Sequence, residues 1–86
     1  MKYQIIIKKL ADSHFKKIKK SGDRKSLKKL KQILDELEVH PKKGIGKPEQ
    51  LKYDLADYWS RRINKKDRLI YQVFDEPDHL VVVISA

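Results

Sequence analysis

The sequence predicts a single α+β domain, residues 1–86, in the order β-α-α-β-β-β-β, with two helices packed on one face of a mostly antiparallel, twisted sheet. Three observations lead there. The N-terminal run from Tyr3 to Ile7 is short and β-branched; apolar residues between 10 and 37 recur at helical spacing; and after residue 50 they gather into strand-length runs divided by turn residues. A chain of 86 residues holds one core, which must draw on nearly all of the apolar side chains.

Each element has its own signal. Tyr3 to Ile7 reads as a strand that gives way to "KKLADSHFKKIKK", where Leu10, Ala11, His14, Phe15 and Ile18 share one side of a helical wheel and Lys9, Lys16 and Lys20 lie opposite. His14 is on the apolar side, where a histidine packs at the edge of a core. "SGD", residues 21–23, supplies a stop and a new N-cap. Leu27, Leu30, Ile33, Leu34 and Leu37 mark a second helix, ended by Pro41, with Lys25, Lys28 and Lys29 pointing away from the leucine stripe. "PKKGIGKPEQ" is a loop by its glycines and prolines, and it lacks the G-x-x-x-x-G-K-[ST] spacing of a nucleotide-binding loop. Strands are expected near Leu51 to Leu55, at Tyr58 to Ile63 and at Arg68 to Phe74. "DEPD" then turns the chain into "HLVVVIS", an unbroken apolar strand of the kind buried on both faces.

Composition excludes several chemistries. The absence of cysteine removes a disulfide framework, a thiolate metal site and a cysteine nucleophile. His14, His40 and His79 are too scattered for a metal motif, so neither a metal nor another cofactor is expected. "MKYQIIIKKL" is far shorter in its apolar part than a signal peptide or a membrane span, which makes a cytoplasmic location away from membranes the expectation. The formal net charge is +9; residues 1–43 hold 14 Lys/Arg against 5 Asp/Glu, whereas residues 44–86 hold 7 of each, so the excess lies wholly in the first half. A field of that size draws a polyanion such as nucleic acid, with an attraction that salt weakens. The plainer account is a lysine-rich surface that keeps a small protein soluble.

Helices on one face leave the other face of the sheet open. Alternation puts Leu69, Tyr71 and Val73 toward the helices and Arg68, Ile70 and Gln72 on the open side. A three-residue loop, Asn64 to Lys66, sets Arg62 opposite Arg68 there, and this odd loop is the expected one. Cutting RNA without a metal needs a base for the ribose 2′-hydroxyl, cations at the phosphate and an acid for the leaving 5′-oxygen. Glu49 suits the base, Arg62 and Arg68 suit the phosphate through paired N–H donors, and Lys52 adds a point charge. No proton donor is evident. Each residue also has a plainer role: Glu49 as a solvated loop residue, one of the adjacent arginines paired with Asp54, Asp57 or Asp67, and Tyr58 and Trp59 as sheet core. Spacing alone suggests nucleic-acid contact and leaves catalysis open.

"GKPEQLKYDLADYWSRRINKKDRLIYQV" closely resembles the segment of the YoeB/Txe toxins, a branch of the RelE-like toxins of bacterial toxin–antitoxin pairs, that reads GKPE-x-L-K, then WSRRI, then HRLVY or similar. The similarity continues more weakly over the whole chain. It implies a RelE-like fold and a ribosome-dependent endoribonuclease, an mRNA interferase, which cuts messenger RNA in the ribosomal A site by 2′-hydroxyl attack without a metal and which a cognate antitoxin neutralises. By matching position it implies Glu49 as general base, Arg68 as transition-state stabiliser and Lys52 and Arg62 as phosphate contacts; Arg61 and Lys47, their neighbours in sequence, are expected as further RNA contacts. The basic helices would meet ribosomal RNA, and a homodimer is the oligomeric state the resemblance implies. Such toxins usually close with a tail holding a histidine and a tyrosine, the histidine a proposed general acid. Here the sequence reads "VVVISA" at that point, so cleavage by these 86 residues is expected to be impaired while fold and docking survive. Two rival readings are a non-catalytic RNA- or ribosome-binding module, in which Glu49 is dispensable, and a partner-binding module whose open sheet face docks an antitoxin peptide.

Overall fold

The computed structural model describes residues 2–51, 58–75 and 77–86. Along the chain run β1 (Gln4–Ile7), α1 (Lys9–Lys20), α2 (Arg24–Leu37), β2 (Glu49–Gln50), β3 (Tyr58–Arg62), β4 (Arg68–Phe74) and β5 (Leu80–Ser85). The strands form one sheet in the order β1-β5-β4-β3-β2, with β1 parallel to β5 and the remaining pairs antiparallel. This is the expected α+β architecture.

The helices cover one face because their apolar stripes have nowhere else to go. Ala11 and Ile18 of α1 and Leu30, Ile33 and Leu37 of α2 pack with Leu69, Tyr71, Val73, Val81 and Val83 into one core. At the margins the stripes outrun the sheet: Leu10 is 55% and Leu27 37% exposed. Between the helices Gly22 takes φ +76°, a left-handed turn, and Asp23 then caps α2, accepting from the Ser26 backbone N–H at 3.1 Å and from Ser26 Oγ at 2.7 Å. Those two bonds hold the Asp23 carboxyl below its ordinary range. His14 sits half-buried at the core edge, its Nδ1 accepting from the Ala86 N–H at 3.0 Å.

In β4, Leu69, Tyr71 and Val73 are buried, Arg68 is exposed, and Ile70 and Gln72 are half-buried, so the predicted alternation holds. In β5, Val81 and Val83 join the core under the helices, and Val82, on the other face of this central strand, is also buried at 8% exposed. The β3–β4 connection is the odd loop: Ile63 N–H donates to Asp67 O at 3.0 Å, closing three residues between them. Asn64 shapes that loop. Its Oδ1 accepts from the N–H groups of Lys66 (2.9 Å) and Asp67 (2.7 Å), and its Nδ2 donates to Ser26 Oγ (2.8 Å), fixing the hairpin to the start of α2.

One strand departs from expectation. The run expected near Leu51 to Leu55 starts earlier, because Glu49 and Gln50 pair with Ser60 and Trp59 of β3, and Leu51 N–H donates to Tyr58 O at 2.9 Å. Residues 52–57 of that run lie outside the described residues. Glu-Gln has little strand preference of its own, so the ladder that β3 offers decides where β2 lies. No helix among the described residues is long and apolar enough to cross a membrane.

Candidate active site

The hairpin register puts Arg62 directly opposite Arg68, both exposed and both on the face away from the helices. Directly opposed positions hold their Cβ atoms about 5 Å apart, where like charges repel. Among the described residues no carboxylate comes within ion-pairing distance of either guanidinium. Glu49 is opposite Ser60, two positions along β3 from Arg62, so it stands on the same face and diagonal to Arg62, about 7–8 Å away at this level of the ladder. A carboxylate and two forked cations on long side chains thus stand in neighbouring rows on the face away from the helices. That combination can take a proton from a hydroxyl and hold the oxygens of an adjacent phosphate. Lys52 lies outside the described residues.

The loop before β2 sets where Glu49 enters. Arg62 N–H donates to Gly46 O at 2.7 Å, and a Cβ on Gly46 would come within 2.8 Å of Arg62 O. With φ +81°, that position takes glycine for two reasons, the left-handed backbone and the contact with β3. Lys47 follows with φ +50° and is exposed, two residues before Glu49.

Arg61 corrects an expectation. RNA contact is expected for it, yet its side chain is 0% exposed, on the helix side of β3 opposite Leu69. Successive strand residues face opposite ways, so the two adjacent arginines divide, Arg62 to the surface and Arg61 to the interior. All five guanidinium N–H donors are used inside the protein. Nε donates to Tyr71 Oη (3.1 Å), Nη1 to Glu36 Oε1 (2.8 Å) and Ile45 O (3.4 Å), and Nη2 to His40 O and to Lys43 O (2.8 Å). None is left for a phosphate. The carboxylate that pairs with it is Glu36 of α2, 25 residues away in sequence, a partner that local spacing gives no means to find.

Tyr71 joins this cluster, its hydroxyl accepting from Arg61 and donating to Pro41 O at 2.7 Å. Burial pushes its phenol above the ordinary value of 10.0, against the opposing pull of Arg61. The clue in the sequence is a tyrosine at a position predicted to face the core, since a buried hydroxyl must find a partner. Trp59 also faces the core, opposite Tyr71 and half-buried, which is the sheet-core role.

His79 belongs to the other end of the sheet. It takes φ +49°, its ring lies edge-on to Tyr3 with centroids 5.4 Å apart, and Tyr3 Oη and Lys42 Nζ bond the two Asp75 oxygens at 2.6 and 2.7 Å. Lys42 and then Tyr3 hold the Asp75 carboxyl below its ordinary range. The seven residues of β4 separate this group from Arg68 by about 20 Å. His79 is therefore no proton donor for a reaction at Arg62 and Arg68.

Comparison with known proteins agrees with the geometry. Residues 8–86 match the family described as the YoeB-like toxin of bacterial type II toxin-antitoxin system. The toxin YoeB of Streptomyces coelicolor is 48% identical over 62 residues, covering 72% of this chain and 71% of that relative. Among solved structures, the YoeB dimer from Staphylococcus aureus superposes with a TM-score of 0.80 at 33% identity, covering 100% of this chain and 95% of that one. The heterotetrameric YoeB-YefM toxin-antitoxin complex from the same organism gives 0.77 at 33% identity, with the same coverage of 100% and 95%. The chain belongs to the YoeB-like toxins of bacterial type II toxin–antitoxin systems.

Proposed function

We propose that this toxin is a ribosome-dependent endoribonuclease that cuts messenger RNA in the cytoplasm by attack of the ribose 2′-hydroxyl. The observation that carries the proposal is the exposed Arg62–Arg68 pair without a carboxylate partner among the described residues, with Glu49 diagonal to it on the face the helices leave uncovered. Glu49 takes the 2′-hydroxyl proton as the 2′-oxygen bonds to phosphorus. Arg68 and Arg62 donate to the non-bridging oxygens as negative charge builds there. The bond from phosphorus to the 5′-oxygen then breaks and that oxygen takes up a proton, leaving a 2′,3′-cyclic phosphate and a 5′-hydroxyl. Lys47 and Lys52 add phosphate contacts, whereas Arg61 serves the interior. The Staphylococcus aureus relatives, solved as a dimer and with YefM, support a homodimer and neutralisation by a cognate antitoxin.

The test is mRNA cleavage on translating ribosomes by the protein and its variants. Cleavage is expected to fall about 10² to 10⁴-fold in Glu49→Gln and about 10² to 10³-fold in Arg68→Ala. Cleavage that both substitutions leave unchanged ends the enzymatic reading. Ribosome binding that survives Glu49→Gln together with undiminished biological effect leaves the non-catalytic module in its place.

A further inference from the structure

The Arg61 cluster does more than satisfy a buried charge. Of its five N–H donors, three go to backbone carbonyls of the loop before β2, those of His40, Lys43 and Ile45. Its two side-chain partners hold the same loop: Tyr71 Oη donates to Pro41 O at 2.7 Å, and Glu36 Oε1 accepts from the Ile45 N–H at 3.1 Å. Gly44 lets the loop close over the ion pair, since a Cβ there would lie 1.7 Å from Glu36 Oε1 and 3.2 Å from Arg61 Nη1. One residue beyond Ile45 the loop is tied to β3 by the Arg62 N–H bond to Gly46 O, and three residues later Glu49 enters the ladder. The buried arginine and the exposed one are consecutive on the same strand. The anchor of the loop and the phosphate-facing cation therefore share a backbone, and only a few residues of loop separate the anchor from the carboxylate.

We infer that Arg61, Glu36 and Tyr71 are positioning residues, which clamp the loop of residues 40–46 so that Glu49 is delivered to β2 at a fixed distance from Arg62 and Arg68. The inference rests on the reading of Glu49 as the base. Lysine at position 61 would not reproduce the clamp, because three donors on a point charge cannot reach five acceptors spread around a planar fork. Misplacing a reacting group by about 1 Å costs about 10²-fold in rate, so a loosened clamp shows in turnover before it shows in binding.

The test uses Tyr71→Phe, which keeps the ring in the core and removes only the hydroxyl, and Glu36→Gln, which keeps an oxygen acceptor and removes the charge. Cleavage on ribosomes, with kcat and KM resolved, is run beside Glu49→Gln and beside exchange of the Ile45 amide. Both clamp variants are expected to lower kcat about 10 to 100-fold at unchanged KM, and to speed Ile45 exchange while the amides of β4 and β5 stay protected. Unchanged kcat in both variants with a disabled Glu49→Gln overturns the positioning role and leaves Glu49 as base. Cleavage undiminished in Glu49→Gln removes the base reading and the positioning role with it.

Discussion

At the level of single residues, Arg61 combines full burial with the use of every guanidinium donor. A guanidinium taken wholly out of water loses several kcal/mol of hydration, which only a counter-charge and a full set of acceptors offset. Arg61 has both, from Glu36, Tyr71 and three carbonyls. Truncating it leaves those carbonyls and Tyr71 without their donor and opens a void the size of the side chain. Arg61→Ala is therefore expected to cost about 3–5 kcal/mol of stability in urea unfolding, with Arg61→Lys recovering a minor part. A decrease under about 1 kcal/mol in Arg61→Ala would show that the loop repacks without it. Tyr71 adds a pH dependence with a definite sign. Its folded pKa is raised above 10.0, so the unfolded chain releases this proton first, and the stability present below about pH 10 is lost as the pH climbs from there toward the folded value. Tyr71→Phe should flatten that alkaline decline, read as the urea midpoint between about pH 9 and about pH 11.

Among the elements, the loop of residues 40–46 matters most to the site, and its glycines separate two kinds of constraint. Gly22 has φ +76° and nothing within 4 Å of where a Cβ would stand, so Gly22→Ala carries only the left-handed backbone penalty, about 1–2 kcal/mol. Gly44 has φ +131°, and its Cβ would fall 1.7 Å from a Glu36 oxygen that Arg61 and the Ile45 N–H hold in place. Gly44→Ala should cost clearly more than Gly22→Ala in urea unfolding; equal costs would mean that Glu36 swings aside freely and the loop is not clamped. What is legible in the sequence follows the same division. α1, α2 and β4 can be read because each buries one face, and burial writes its period into the sequence, whereas β5 is legible as an unbroken apolar run. The hairpin register, which brings Arg62 opposite Arg68, follows from Asn64 and an odd loop. The inward turn of Arg61 follows from the same alternation, but its partners escape sequence reasoning because they come from residues 36, 40, 43, 45 and 71, which only the folded chain brings together. β2 lies earlier than its apolar run suggests because two polar residues form a strand only where β3 supplies a ladder, and the exposure of Leu10 and Leu27 reflects a sheet too small to cover both stripes.

For the whole molecule, charge and topology divide the protein into two faces with different tasks. The excess of positive charge lies in residues 1–43, where Lys20, Lys25 and Lys28 are among the exposed helix lysines, while Glu49, Arg62 and Arg68 occupy the face of the sheet away from the helices. The two sets meet only at the hairpin edge, where Asn64 bonds Ser26 and where Lys17 lines a hollow with Lys66 and Asp67. On the proposed reading the helix face meets structural RNA of the ribosome and the sheet face meets the strand to be cut. Binding and chemistry should then respond to different substitutions. Lys20, Lys25 and Lys28 are exposed, and replacing all three by alanine should raise KM on ribosomes and flatten the dependence of log affinity on log salt by about 2–3, near one for each phosphate no longer neutralised. At saturating ribosomes kcat should be unchanged, the reverse of the pattern expected for Arg68→Ala. A triple variant that lowers kcat while KM and the salt slope stay put would show instead that the helix face acts on the reacting phosphate, across the hairpin edge or from a second copy.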